Sequence, residues 1–81
     1  MIDRKIFSDR LKCLRERRGD TLAEVAAALS VSRQSIHQWE KTETFPNADK
    51  LAALADYLDV SVDYLLGRTD NPFAHKNGKS L

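Results

Sequence analysis

Cysteine, proline and glycine are scarce in this 81-residue chain, which has one, two and three of them. The single cysteine, Cys13, excludes an internal disulfide. His37 and His75 lie far apart without cysteine or carboxylate neighbours at ligand spacing, so no metal site is predicted. The three glycines are isolated, which excludes a glycine-rich phosphate loop. Paired-carboxylate, Cys/His and Ser/His arrangements are also missing, so we expect no enzyme and no cofactor, and no small-molecule ligand is evident.

Cys13 itself has two interpretations. We expect it to be a structural filler, since free cysteine behaves as a small apolar residue. The alternative is a redox-sensing thiol, because Lys12 and Arg17 are close enough in sequence to lower its pKa.

Long apolar runs are missing too. None approaches the roughly 18 residues of a membrane span, and the N-terminus has no signal-peptide hydrophobic region. We therefore expect a cytoplasmic protein with no membrane contact. The length allows one small domain. Because domains of this size bury only about 60% of their unfolded surface, we expect modest stability unless a partner subunit adds to it.

A pair of helices joined by a tight turn is predicted between Thr21 and residue 42. Thr21 and Glu24 have the spacing of a capping box, which starts a helix. Apolar residues then recur at helical spacing until the helix ends near Ser30. Ser32 is a good N-cap for the next helix, where Val31 and Ile36 have the spacing of a hydrophobic staple.

The third helix has two different faces. At 100° per residue, Ile36, Trp39 and Glu40 lie together on one side. An arc of about 140° on the other side carries polar and cationic side chains. Arginine and glutamine can make paired hydrogen bonds to guanine and adenine edges, and lysine can hold phosphates. An exposed helix face is often simply polar, but the preceding turn and staple favour recognition. The face consists of Arg33, Gln34, His37, Gln38 and Lys41.

Three further helices are predicted as scaffold. The first covers about residues 6–18, with Phe7, Leu11 and Leu14 on one stripe. The fourth begins after Asn47, extends to about residue 59, and buries Leu51, Leu54, Ala55 and Leu58. The fifth is short, begins after Ser61 and ends at Gly67; its apolar residues are Val62, Tyr64, Leu65 and Leu66.

The fifth helix has more apolar surface than a chain this small is expected to bury. Val62, Tyr64 and Leu65 are therefore predicted to contribute to a two-fold dimer. From Arg68 onward, turn formers and polar residues predict a tail that is disordered or ordered only on contact, with Phe73 as its large apolar anchor. Such a tail also suits the start of a linker.

Charge is unevenly distributed, although the net charge is only +1. Residues 1–41 carry +3, residues 42–66 carry −4 and residues 67–81 carry +2. A basic front and an acidic back would orient the protein on a polyanion. The same charges could also serve solubility alone.

The helix pair, Phe45 and Pro46, and the VSVDYLLG run at residues 60–67 together resemble the Cro and phage-repressor type of helix-turn-helix domain. The resemblance covers about residues 4–67. It implies an all-α, compact five-helix, lambda-repressor-like domain over residues 1–67, with a polar tail over 68–81, and a third helix that enters the major groove. The implied function is a sequence-specific regulator of transcription, a repressor that binds a near-palindromic operator in double-stranded DNA as a homodimer.

The resemblance also implies roles for individual residues. Arg33, Gln34 and Gln38 are expected to read bases, and His37 fits either base reading or a phosphate contact. Arg15 and Glu40 are expected to form a largely buried ion pair with a structural role. Phosphate contacts are expected from backbone amides or side chains that flank the reading face: those of Leu22, Ala23, Ser32, Ser35, Lys41, Thr44 and Asn47.

Three positions depart from the family pattern. Leu22 stands where a phosphate-binding glutamine is frequent, although the amides of Leu22 and Ala23 can still bind phosphate through the helix dipole. Ser30 and Thr42 replace frequent glycines, and a left-handed residue there costs about 1 kcal/mol.

A second function class remains open. The domain could be a protein-interaction module, such as an antitoxin or coactivator subunit, with an apolar surface formed by Val62, Tyr64, Leu65 and Phe73. That interpretation leaves the polar face of the third helix unexplained.

Overall fold

The computed structural model describes residues 2–74. Within this range the chain forms five helices and no strand. The predicted all-α, five-helix fold is therefore confirmed. The helices are α1 (Arg4–Arg18), α2 (Leu22–Leu29), α3 (Arg33–Glu40), α4 (Ala48–Leu58) and α5 (Val62–Leu65).

Each helix begins after a side chain that caps it. The N-cap residues have extended backbone, and each side chain accepts a hydrogen bond from the amide three residues later. At α2 the predicted capping box is complete: the Thr21 amide donates to Glu24 at 2.7 Å, and the Glu24 amide donates to Thr21 at 3.1 Å. α1 begins two residues before its predicted start because Asp3 caps it. The caps are Asp3, Thr21, Ser32, Asn47 and Ser61.

Left-handed residues end most of the helices. Gly19 ends α1 with φ 78°, and Ser30 and Asp59 end α2 and α4 with φ 58° and 59°. Thr42, just after α3, has φ 63°. A β-branched residue rarely adopts this conformation, so the surrounding contacts must hold Thr42 there.

The core lies between α1, the α2–α3 pair and the α4–α5 pair. α2 packs against α3 and α4, and α1 packs against α3 and α5. The predicted buried face of α4 is confirmed, since all four residues predicted to form it are buried. The largest fully buried apolar side chains are Phe7, Leu11, Val25, Ile36, Leu54 and Leu65.

The buried state of α5 corrects one expectation. Leu65 is 0% exposed and Leu66 is 8% exposed, so both pack in the core of their own chain. The prediction that Leu65 contributes to a dimer surface is therefore wrong, because its side chain has no surface to offer. Val62 and Tyr64 are half-buried and still have exposed atoms.

The segment after Gly67 is ordered further than predicted. Arg10 on α1 donates hydrogen bonds to the backbone oxygens of Tyr64 and Thr69, and pairs with Asp70 at 3.0 Å. The amide of Ser61 donates to the oxygen of Pro72 at 2.6 Å. Residues 68–74 are thus held against α1 and α5 by hydrogen bonds to their backbone oxygens. Apolar periodicity in the sequence cannot indicate hydrogen bonds of this kind. The remainder of the predicted tail, including His75, lies outside the described residues.

Cys13 is exposed on α1, so it is not the structural filler that was expected. No group of three or more potential metal ligands occurs within residues 2–74. No helix of this part of the chain is long and apolar enough to cross a membrane.

Candidate nucleic-acid interface

The turn between α2 and α3 is fixed by backbone and side-chain hydrogen bonds. The amides of Ser30 and Val31 donate to Ala27 and Ala26 of the last turn of α2, at 3.3 and 3.0 Å. From α4, the ammonium group of Lys50 donates to the oxygen of Leu29 at 2.8 Å. A cation at a helix C-terminus also complements the helix dipole. The turn is therefore braced from outside the helix pair.

α3 is seated by its apolar side. Ile36 is 0% exposed and Trp39 is 5% exposed. The other side faces outward: Arg33, Gln34 and His37 are exposed, and Gln38 is half-buried. Within residues 2–74, these four side chains and that of Lys41 make no hydrogen bond or ion pair. The sequence thus correctly predicted an outward polar face, and its donors and acceptors are available to another molecule.

A buried ion pair fixes the end of α3 on α1. The guanidinium of Arg15 donates to both carboxylate oxygens of Glu40, at 2.5 and 3.0 Å, and the two side chains are 13% and 6% exposed. Arg15 also donates to the backbone oxygen of Asp20 at 3.0 Å. The hydrogen bond to Glu40 raises the pKa of Arg15. The pair implied by the family resemblance is therefore confirmed.

Ser8 on α1 holds the backbone just beyond this pair. Its hydroxyl is buried and donates to the oxygen of Trp39 at 2.6 Å. The hydroxyl of Thr42 donates in turn to Ser8 at 2.9 Å. The amide of Thr42 also donates to the oxygen of Trp39 at 3.3 Å, so a side-chain bond and a backbone bond hold Thr42 in its left-handed conformation at the end of α3.

A second polar cluster ties the α1–α2 turn to α4. The hydroxyl of Tyr57 donates to the carboxylate of Asp20 at 2.5 Å, and Arg18 donates to the same oxygen at 2.9 Å. The hydrogen bond from Tyr57 and then that from Arg18 lower the pKa of Asp20. The bond to Asp20 raises the pKa of Tyr57.

The expected phosphate contacts fall into two groups. At the start of α2 the capping box occupies the amides of Thr21 and Glu24, which leaves those of Leu22 and Ala23 as the unsatisfied donors of the first turn. The second group consists of side chains. Two of these are Ser32 and Ser35, whose hydroxyls form a hydrogen bond with each other at 2.9 Å.

The loop after α3 carries the remaining phosphate candidates. Lys41 and Thr44 are exposed, and their side chains make no hydrogen bond or ion pair within residues 2–74. The side-chain oxygen of Asn47 accepts from the amide of Lys50 at 2.9 Å, so its NH₂ group is the part available to a phosphate. No observation tests these contacts, and they stay predictions.

The dimer candidates on α5 are reduced to two. Val62 and Tyr64 are half-buried, and the guanidinium of Arg10 lies 3.9 Å from the centre of the Tyr64 ring. One face of that ring is thus covered by the chain itself. The rest of Tyr64 and the side chain of Val62 are what α5 can offer a second subunit.

Three of the structural residues that were missed in the sequence are Ser8, Arg10 and Lys50. Each holds backbone oxygens of a segment more than 20 positions away. Local spacing contains no signal for such contacts. Their only common mark is a polar side chain at the border of an apolar stripe.

A tight turn between two short helices, the second seated by apolar residues with its polar side outward, defines a helix-turn-helix domain. The model of the family described as "Helix-turn-helix domain" matches residues 6–65, and the chain belongs to this family. The resemblance to the Cro and phage-repressor type is confirmed.

The relatives include regulators from bacteria and phages. The chain is 36% identical over 76 residues to an uncharacterized HTH-type transcriptional regulator, YobD, of Bacillus subtilis, covering 94% of this chain and 68% of that protein. It is also 36% identical over 62 residues to repressor protein C2 of Salmonella phage P22, covering 76% of this chain but only 29% of the repressor.

Among solved structures, the P22 c2 repressor in complex with a synthetic operator superposes with a TM-score of 0.73 at 37% identity, covering 74% of this chain and 91% of that one. The same fold also occurs in FeII HppE, solved with its substrate, with a TM-score of 0.72 at 25% identity and 37% of that chain covered. The fold alone therefore does not assign the function, and the side chains of the site must carry it.

Proposed function

We propose that this chain is a sequence-specific, double-stranded-DNA-binding regulator of transcription, a repressor of the phage type, and not an enzyme. It acts in the cytoplasm on the nucleoid. The observation that carries the proposal is the outward face of α3, whose arginine, glutamine, histidine and lysine side chains have no partner in residues 2–74. Because α3 is held in place by its buried side and these groups are free, they are suited to hydrogen-bond with the edges of bases in a major groove.

The proposed roles divide along α3. Arg33 and Gln34 lie in its first turn and Gln38 lies one turn later on the same side, so these three read bases. Lys41, Thr44 and Asn47 follow the helix and hold the DNA backbone. The amides of Leu22 and Ala23 hold a second phosphate. Phosphate contacts fix the register of the helix, and base contacts select the sequence.

The operator is proposed to be a near-palindrome bound by two copies of the chain. Val62 and the free part of Tyr64 form the contact between the copies. Such a dimer places its two reading helices about 34 Å apart, which is one turn of DNA. The chain spans less than one third of the C2 repressor, so a contact through further parts of a longer protein is compatible with the same dyad.

The test compares two variants on two DNAs. Wild type, Gln34→Ala and Lys41→Ala are titrated against the duplex that wild type selects from a random pool, and against a scrambled duplex, at several salt concentrations. Gln34→Ala should lose about 1–3 kcal/mol on the selected duplex and little on the scrambled one. Lys41→Ala should weaken both alike and reduce the salt slope by about one unit per protomer. The same ratio of losses for both variants would contradict the assigned roles.

A second function has one observation in its favour. A groove of about 520 Å³ is lined by apolar and charged residues of α1, α4, α5 and the segments that follow α4 and α5, and Phe73 in its lining is 61% exposed. A protein-interaction module would use such a surface. If that were the function, Gln34→Ala and Lys41→Ala would not differ from wild type in their affinity for either duplex.

A further inference from the structure

One face of α1 lies along the end of α3 and the loop after it. Arg15, Ser8 and Arg4 lie within about 40° of one another around α1. All three contact the end of α3 or the loop after it: Arg15 pairs with Glu40, and Ser8 bonds the backbone of Trp39 and the hydroxyl of Thr42. Arg4 stacks on the ring of Phe45, with its guanidinium carbon 4.8 Å from the ring centre.

The position of Arg4 differs from the other two in exposure. Arg15 and Ser8 are inside the protein, whereas Arg4 is exposed at the edge of this contact. Its platform is rigid, because the Phe45 ring packs at 4.9 Å on the fully buried Phe7. Phe45 also lies between Thr44 and Asn47, two of the residues proposed to hold phosphate. The guanidinium is therefore fixed beside that loop.

The charge of Arg4 has no carboxylate partner within residues 2–74, because the ion pairs of this range use other cations. Arg4 occupies the first position of α1, where the helix dipole disfavours a positive charge. The carboxylate of Asp3, which caps this turn, accepts from the amide of Ile6 at 3.1 Å and forms no ion pair with Arg4. Stacking uses only the flat side of a guanidinium and leaves the N–H groups in its plane free. An anion at this place would satisfy the charge of Arg4 and these donors together.

We infer that Arg4 is a further phosphate-contacting residue, positioned by Phe45 so that its guanidinium binds a phosphate of the DNA backbone next to the loop after α3. The inference rests on the proposed function and extends its contact surface from the helix pair to the start of α1. Arg4 makes no base contact in this arrangement. Its contribution is the same on every sequence.

Arg17 provides a matched control. It is an exposed arginine on the same helix, it also lacks a carboxylate partner in the described range, and it lies about 140° around α1 from Arg4. Arg17→Ala should leave DNA binding unchanged. Arg4→Gln removes the charge but keeps a long helix-forming side chain, and Arg4→Lys keeps the charge. Melting curves of the variants establish that each is folded.

The experiment is a fluorescence titration of the full chain with the selected duplex and with a mixed-sequence duplex, between about 50 and about 200 mM salt. We expect Arg4→Gln to weaken binding by the same factor on both duplexes. Its slope of log affinity against log salt should be shallower by about one unit per protomer, so its deficit against wild type should shrink about three- to fourfold per protomer over this range. Arg4→Lys should keep the wild-type slope.

Three results would overturn the inference. A wild-type slope for Arg4→Gln would show that Arg4 releases no counterion. The same slope change for Arg17→Ala would show that the effect comes from the loss of any positive charge and not from the position of Arg4. A loss confined to the selected duplex would make Arg4 a base contact. All three results presuppose that wild type binds duplex DNA, whereas wild type failing to bind either duplex would overturn the proposed function itself.

Discussion

At the scale of single residues, the ion pair of Arg15 and Glu40 allows residues that stabilise the fold to be distinguished from residues that only bind DNA. Glu40→Ala strands the Arg15 charge, which should lower the free energy of unfolding by about 3–5 kcal/mol as well as weaken DNA binding. Gln38→Ala, two positions earlier and on the outward face of α3, should weaken binding and leave the free energy of unfolding within about 0.5 kcal/mol of wild type. Urea denaturation of the two variants measures the difference.

The double variant Arg15→Met with Glu40→Leu is the control for this prediction. It leaves no unpaired charge, so it should be more stable than Glu40→Ala. If Glu40→Ala and Gln38→Ala melted alike, the pair would have no part in stability.

Asp20 makes a prediction about pH. Its pKa is lowered in the fold, so its ionised form is the one that Tyr57 and Arg18 stabilise. The contribution of such a group is present above the unfolded pKa, about 3.9, and is lost as pH falls through the lower folded value. Wild type should therefore melt above Asp20→Asn near neutral pH, and the gap should narrow below about pH 4. A gap that stays constant with pH would contradict this role, since the other carboxylates are common to both proteins.

At the scale of helices and turns, Ser30 is the position where backbone strain can be measured. Its φ of 58° is costly for a residue with a side chain, and glycine avoids that cost. We expect Ser30→Gly to be more stable than Ser30→Ala by about 1 kcal/mol in thermal melts. Ala27→Gly, at an exposed position inside α2, should have the opposite sign and lose about 0.5–1 kcal/mol. Equal stabilities for the two Ser30 variants would show that the turn relaxes around the substitution.

The helices also show what could be predicted from the sequence. The starts of α2 to α5 and the outward face of α3 follow from capping residues and helical spacing, which are local properties. The start of α1 was missed by two residues because its cap, Asp3, precedes the apolar stripe that begins near Ile6. Local spacing could not indicate that Lys50 holds the end of α2 or that Ser8 holds the end of α3, because those contacts exist only after the helices pack.

The family resemblance supplied one contact that spacing could not. The pair of Arg15 and Glu40 spans 25 positions, and it was expected because both residue types stand where the family has them. Arg4 had no such guide, since the resemblance assigns it no role. Its contact with Phe45 depends on how α1 lies along the loop after α3.

At the scale of the whole molecule, α5 must serve both the core and the proposed dimer. Leu65 is fully buried, so Leu65→Ala should lower the free energy of unfolding by about 2–5 kcal/mol. Val62→Ser changes a half-buried residue at the surface of α5, and it should reduce two-copy occupancy of DNA with a much smaller loss of stability. Sedimentation on DNA and thermal melts together measure both effects. Unchanged occupancy for a folded Val62→Ser would place the contact between copies elsewhere.

The account as a whole claims that the outward face of α3 reads a DNA sequence with two-fold symmetry. Selection of bound sequences from random duplex DNA by the full chain tests this most directly. We expect enrichment of a near-palindrome whose half-sites are one turn of DNA apart, about 34 Å, with Gln34→Ala relaxing the preference at one position in each half-site. A pool that shows no enrichment over the starting DNA, or an enriched site that Gln34→Ala leaves unchanged, would contradict it.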